Sequence, residues 1–323
     1  MKNLLSSLLA GLLCGVSCVA QAAWPEKPIS LVVPFPPGGA TDLVGRLIGK
    51  ELSERLKVSV VIENRAGAAG NVGSRYVARS NADGYTLLIG TTAQTIGAAV
   101  YKEPGYDIVN DFEAISTINE GPLILISRPG LGASNVEELI RVAKSRPQEL
   151  TYASPGYGTS SHMAMEVFSL ATGLKMVHVP FQGAGPAMNA LIGEQVDIAF
   201  DEMSSGRQHV EAQRVQGIGI ATRERSPLAP DWVTLAEQSP QMLSGFHETA
   251  WTVLLAPKGT PRAIVDTLNA EMKAILESEQ IRARFTGLGN LTLWRSAEDT
   301  QAFIAQDVEK WKRVVHDADI EQL

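Results

Sequence analysis

The feature that most constrains this chain is a glycine-bearing turn, Pro34-Phe35-Pro36-Pro37-Gly38-Gly39-Ala40-Thr41-Asp42. It follows a β-branched apolar run, Ile29-Ser30-Leu31-Val32-Val33, that reads as a buried strand. It precedes Leu43, Val44, Leu47, Ile48, Leu52 and Leu56, whose spacing is helical. Thr41 or Asp42 is placed to cap that helix. Gly38 and Gly39 permit positive φ and leave main-chain N–H groups unshielded by a Cβ. Those groups, with the positive end of the helix dipole, suit an anion. The same unit recurs at Ser154-Pro155-Gly156-Tyr157-Gly158-Thr159-Ser160-Ser161-His162, and again at Val179-Pro180-Phe181-Gln182-Gly183-Ala184-Gly185-Pro186. One such turn is ordinary in an α/β protein. Three, each at a strand-to-helix junction, point to one small anionic ligand.

Composition narrows the classes of partner. The formal net charge is −7 over 323 residues. An acidic chain is a poor match for nucleic acid or an anionic membrane surface. Any acidic ligand must therefore be held by local donors. Lys2, the apolar stretch from Leu4 to Val19 and Ala20-Gln21-Ala22 read as a secretory signal peptide over residues 1–22, cleaved near Ala22. Gly15-Val16-Ser17-Cys18 is a faint lipoprotein box. Both cysteines, Cys14 and Cys18, fall inside this segment, so the mature chain carries no thiol and no disulfide. No later stretch has the length of a membrane span, and an exported soluble protein is expected.

Strand and helix alternate along the rest of the chain, which argues for a parallel sheet flanked by helices. Strands are expected at Ser59–Asn64 and Tyr85–Ile89, with Thr91 and Thr92 beyond the end of the latter, where ligands sit in such sheets. Asn119-Glu120-Gly121-Pro122 is expected to break one strand before Leu123-Ile124-Leu125-Ile126 begins another. Further strands are expected at Leu150–Ala153, Lys175–Val179, Val196–Phe200 and Val215–Ala221. Residues 222–245 read as loop, Trp251–Ala256 as a strand, and two amphipathic helices close the chain. The chain thus leaves a first lobe near residue 122 and returns near 248. The expected units are lobe 1 at 23–122 plus 248–323 and lobe 2 at 123–247, with a cleft between them.

Individual residues carry competing readings. Thr159 and Ser160 are N-cap candidates that also offer hydroxyls to a carboxylate. His162 serves either as a structural histidine or as a ligand contact. Phe181 is part core, part cleft. Asp42 fixes its turn rather than touching an anion. Asp201, at a strand end, accepts either from a ligand amine or hydroxyl or from main-chain N–H groups. Enzyme patterns are weak: there is no G-x-S-x-G elbow, no Walker lysine and no dinucleotide spacing. Five histidines and no mature cysteine leave little for a metal. An exported hydrolase using Ser160 or Ser161 with His162 is the alternative from the enzyme class.

The turns, together with Asp83-Gly84-Tyr85, Asp111-Phe112, His178-Val179-Pro180-Phe181-Gln182-Gly183 and Ala256-Pro257-Lys258-Gly259-Thr260-Pro261, resemble the substrate-binding proteins of tripartite tricarboxylate transporters, also called the Bug family. The resemblance covers essentially the whole mature chain. It implies a type II periplasmic-binding-protein-like α/β fold, two lobes joined by crossing strands. It implies a periplasmic, monomeric receptor without cofactor, metal or catalysis, which takes a small carboxylate to membrane subunits of the transporter; a sensor feeding a signalling receptor is the related alternative. The implied ligand contacts are Phe35, Gly38, Gly39, Ala40, Thr41 and Thr91 from one lobe. From the other they are Ser154, Gly158, Thr159, Ser160, His162, Phe181, Gly183, Ala184 and Asp201. Departures from the family pattern fall near the cleft: Phe181 for Tyr, Glu202 for the Asn after Asp201, Val253 for Gly, and no Asn-Pro around Ile96–Ala99.

Overall fold

The computed structural model describes residues 24–146, 148–317 and 320–323. The leader read at residues 1–22 lies outside the described residues. The chain opens with strand β1 (Ile29–Val33) and helix α1 (Ala40–Leu56), joined by the first glycine turn. Val44, Ile48 and Leu52 form the buried stripe of α1, packed on Leu31, Val33 and Ile89. Then come β2 (Val60–Asn64), α2 (Asn71–Ala78), β3 (Thr86–Thr91) and α3 (Thr92–Val100). β1 runs parallel to both β2 and β3.

β4 (Phe112–Ser127) runs unbroken through the Gly121-Pro122 pair that the sequence suggested would end it. Its residues 112–122 pair with β9 (Thr249–Pro257), and its residues 123–127 pair with β7 (Ile198–Glu202). Pro122 faces Thr249 on the last rung with β9, so its missing N–H falls where the strand changes partners. Gly121 is required there because a Cβ would lie 1.7 Å from Oδ1 of buried Asn290.

Beyond β4 the order is α4 (Val136–Ser145), β5 (Thr151–Ser154), α5 (Ser160–Thr172), β6 (Val177–Pro180), α6 (Ala184–Ile192), then β7. β5 is parallel to β6 and β7. Helix α7 (Met203–Glu211) follows β7 directly, and β8 (Gln216–Ile220) pairs with β4. The stretch expected to be loop at 222–245 holds two one-turn helices, α8 (Leu235–Gln238) and α9 (Pro240–Leu243). After β9 come α10 (Arg262–Glu277), α11 (Glu279–Gly287), β10 (Leu291–Thr292) and α12 (Ala297–Asp317).

The strand order is β2-β1-β3-β9-β4-β7-β5-β6, and the sheet is mixed rather than parallel. The reason is topological. β4 carries the chain from one lobe to the other and β9 carries it back, so these two neighbours must run antiparallel. At the back of the molecule Ile96, Ala99 and Val100 of α3 pack with Met163 of α5 and with Trp311 and Val315 of α12. Among the described residues no helix is long and apolar enough to cross a membrane.

Gly73 of α2 supports the first turn by close approach. A Cβ there would stand 2.9 Å from the Arg65 carbonyl oxygen and 3.0 Å from Pro34 Cα. Both are backbone atoms that cannot swing aside. Gly73→Ala is expected to lower stability by about 1–3 kcal/mol, read as a lower urea midpoint with an unchanged slope.

Candidate functional site

The first turn is built around a buried carboxylate. Asp42 Oδ2 accepts from the Gly38 N–H at 2.9 Å and from Arg46 Nε at 2.9 Å. Its Oδ1 accepts from Asn64 Nδ2 at 2.8 Å, and the same amide nitrogen donates to the Phe35 carbonyl at 3.1 Å. Burial works to raise the Asp42 pKa, but the bonds from Arg46, Gly38 and Asn64 together hold it below the ordinary 3.8. Asp42 therefore fixes the turn as a carboxylate. The N-cap of α1 is Gly39, which makes no side-chain cap bond, rather than Thr41 or Asp42. Gly38 takes φ +88, whereas Gly39, at φ −84, needs no left-handed freedom.

The second turn is held by its own side chains. Thr159 caps α5: its Oγ1 accepts from the His162 N–H at 3.4 Å and donates to the Gly156 carbonyl at 2.8 Å. Ser154 Oγ lies 2.7 Å from His178 Nε2 and accepts from the Gly156 N–H at 3.2 Å. The Gly158 N–H donates to His162 Nδ1 at 3.3 Å. The rings of His162 and His178 stack with centroids 4.2 Å apart, and Tyr152 stacks on His178 at 4.7 Å. Burial depresses the His162 pKa to about 3, aided by His178, and that of His178 to about 4. Both imidazoles are neutral props beneath the turn.

The third turn begins α6 at Gly183, with φ +117 and ψ 171. Its N–H donates to the Pro155 carbonyl at 3.1 Å, tying the second and third turns together. At the β3–α3 junction Thr91 forms a capping box with Gln94: the Thr91 N–H and hydroxyl donate to Gln94 Oε1 at 2.6 and 3.0 Å. The Trp251 N–H donates to Thr92 Oγ1 at 3.0 Å, joining that junction to the returning strand β9. At the β7–α7 junction, the Ser205 hydroxyl donates to the Asp201 carboxyl at 3.1 Å.

These pieces enclose a cavity of about 340 Å³ between the lobes. Phe35, Gly38, Gly39, Ala40, Thr41, Thr91, Thr159, Ser160, Gly183, Ala184 and Asp201 line it. Four residues expected there lie elsewhere. Ser154 is bound into the base of its turn, and His162 is stacked on His178. Gly158 faces α3, where a Cβ would meet Val100 at 2.9 Å, and Phe181 packs with the apolar cluster of α6, β7 and β4. His162 is not among the cavity-lining residues; its Nδ1 accepts from the Gly158 N–H and its ring stacks on His178.

The lining also includes Thr92, which the sequence places beyond a strand end with Thr91, and Ser161 of the second turn, together with residues that sequence reasoning missed: Pro36, Pro37, Ala93, Pro155, Gly185, Pro186, Glu202, Ser205, Ala250, Trp251 and Thr252. Several adjoin expected residues and were within reach of the turn argument. Ala250–Thr252 arrive on β9, far along the chain from all three glycine turns, and carried no local signal. The side chain that organises the first turn from outside, Asn64, was visible only as the end of a strand.

The lobes touch in this structure. A Cβ on Gly183 would come 3.1 Å from Pro36 Cγ across the cleft. Tyr101 Oη donates to the Tyr157 carbonyl at 2.9 Å, and Tyr157 Oη to the Glu321 carbonyl at 2.8 Å. The cavity lining holds no lysine, arginine or histidine; its ionisable side chains are Asp201 and Glu202. Among the described residues no group of three or more His, Cys, Asp or Glu is placed to hold a metal ion.

Residues 44–320 match the family model described as the tripartite tricarboxylate transporter family receptor. The chain belongs to this family. Protein BugT of Bordetella pertussis is 32% identical over 302 residues, covering 93% of this chain and 91% of that protein. Among solved structures, R. palustris Rpa4515 with adipate has a TM-score of 0.90 at 33% identity, covering 93% of this chain and all of that one. The periplasmic binding protein BugD gives 0.87 at 32%, with the same shares. MatC (Rpa3494) from Rhodopseudomonas palustris with bound malate gives 0.85 at 31%, covering 90% of this chain and 100% of that chain. This tripartite tricarboxylate transporter family receptor thus shares the two-lobed α/β fold of binding proteins solved with small acids.

Proposed function

We propose that this receptor is exported to the periplasm, captures a small organic carboxylate in the inter-lobe cavity and presents it, as a monomer, to the membrane subunits of a tripartite tricarboxylate transporter. Lobe 1 would comprise residues 23–122 and 248–323, and lobe 2 residues 123–247. The observation that carries the reading is the convergence of three helix N-termini, those of α1, α5 and α6, on one enclosed cavity that holds no basic side chain. In this reading Gly39, Ala40, Thr41, Ser160 and Ala184 supply N–H groups and hydroxyls to the carboxylate, while the Gly38 and Gly183 N–H groups, bound to Asp42 and to the Pro155 carbonyl, hold the turns in place. A hydrogen bond to a charged group contributes about 1.5–3 kcal/mol, and micromolar affinity needs about 8 kcal/mol. Four or five such bonds suffice without an arginine.

The two small-acid complexes among the similar structures, with adipate and with malate, support the ligand class. Closure links binding to recognition, because only the closed form brings the Pro36 and Gly183 turns together. The test is calorimetry and thermal denaturation of the mature protein against mono-, di- and tricarboxylates, aromatic acids and amino acids. At least one acid is expected to bind and, at a hundred times its Kd, to stabilise the fold by about 2.7 kcal/mol. A flat response to every acid would remove the carboxylate reading.

A further inference from the structure

The geometry points to a ligand with two unlike ends: a carboxylate for the glycine turns, and a cationic nitrogen for the paired carboxyls of Asp201 and Glu202. This inference rests on the carboxylate reading and specifies the other pole of the same cavity. Asp201 and Glu202 are the last two residues of β7, paired in register with Ile124 and Leu123, where β4 crosses between the lobes. They therefore sit at the hinge wall of the cleft, at the start of α7. Both line the cavity, and Asp201 is only 7% exposed. A close packing shell fixes the Asp201 side chain: a Cβ on Gly206 would stand 2.9 Å from its Oδ2.

The Asp201 carboxyl receives one side-chain donor, the Ser205 hydroxyl, and neither carboxyl forms an ion pair with a described residue. Asp201, buried, and Glu202, partly buried, stand in a lining without a basic side chain and lack a counter-charge there, and buried charges in proteins are otherwise paired. Burial pushes both groups up to about 7, helped at Glu202 by the charge of Asp201. A ligand nitrogen carrying positive charge supplies the missing partner. A second ligand carboxylate at the same wall would face two like-charged groups. Glu202 decides the matter, because a neutral side chain at that position would leave Asp201 as a single acid that one donor already serves. A zwitterion adds no net charge to a lining that already carries two acids, whereas a dicarboxylate adds two negative charges.

Isothermal titration of the mature protein with chain-length-matched pairs tests this directly. The pairs are γ-aminobutyrate against glutarate, δ-aminovalerate against adipate, and ε-aminocaproate against pimelate. In the wild type the best amino acid is expected to bind at least tenfold more tightly than its matched diacid. Glu202→Gln, shown to be folded by its thermal transition, is expected to weaken the amino acid about tenfold and to strengthen the diacid. A wild type that prefers diacids, or a preference unchanged by Glu202→Gln, overturns the inference and leaves the carboxylate reading standing. Failure of both series to bind, together with a flat response in the wider acid screen, overturns both.

Discussion

Asp42→Ala is expected to lower the stability of the folded protein by about 4 kcal/mol and to abolish ligand binding. The carboxylate is buried and accepts from the Gly38 N–H, from Asn64 Nδ2 and from Arg46 Nε. Alanine removes the charged acceptor of the Gly38 N–H and of one Asn64 amide hydrogen, and a hydrogen bond to a charged group contributes about 1.5–3 kcal/mol. Arg46 is half exposed and returns to water, so it adds little. The turn then loses the bond that holds Gly38 at φ +88, and Asn64 loses its hold on one side of the Phe35 carbonyl clamp. Urea denaturation measures the first effect and calorimetry the second. Asp42→Asn keeps an acceptor for Gly38 but turns a donor toward Asn64, so an intermediate loss is expected. Acid provides an independent check. The Asp42 pKa lies below its unfolded value of 3.8, so its stabilisation is complete above about pH 4 and fades as pH falls through the lowered value. The gap between wild type and Asp42→Ala should therefore narrow in strong acid. A gap that stays constant, or a mutant that binds normally, would show that the carboxylate does not organise this turn.

Gly183→Val is expected to weaken binding by at least about a hundredfold, or 2.7 kcal/mol, while the protein still folds. Two effects combine. The residue sits at φ +117 and ψ 171, a region open essentially to glycine alone, at a cost of about 1–3 kcal/mol for other residues. Its Cβ would also press on Pro36 of the facing turn at 3.1 Å, and valine adds two methyl groups beyond that point. The strain acts on the isolated lobe, whereas the contact with Pro36 acts only when the cleft is shut. Gly183→Ala carries the strain with the smaller contact, so it should weaken binding less than valine does. Calorimetry reads the affinity, and small-angle scattering reads whether saturating ligand still compacts the molecule. Equal effects of alanine and valine would assign the loss to backbone strain and not to blocked closure.

Much of the local structure was legible in the sequence. The runs Ile29–Val33 and Trp251–Ala256, the stripe Val44-Ile48-Leu52 and the cap at Thr159 all follow from periodicity and nearby hydrogen bonding. The glycine turns were legible because Pro and Gly mark strand-to-helix junctions, and their ordered spacing carried the family. The differences between the sequence reading and the fold have a common cause. Gly121-Pro122 reads locally as a break, yet β4 continues because its partner changes from β9 to β7 at that point. Gly158 and His162 read as ligand contacts because they share a turn with Thr159 and Ser160. Their side of the turn faces α3 and the His178 stack instead. α3, α7, α11 and β10 went unnoticed because α3 is buried nearly all round, α7 and α11 each bury only two residues, and β10 is two residues long, which leaves little pattern in one dimension.

The sequence by itself determined where strands end, where helices begin, and that three anion-suited turns exist, since those depend on residues a few positions apart. Tertiary structure decided that the turns face one another, that β9 adds Trp251 and Thr252 to their cavity, and that two acids stand at its hinge wall without a basic neighbour. Those facts depend on the antiparallel crossing of β4 and β9, a pairing between residues more than a hundred positions apart that no local pattern encodes.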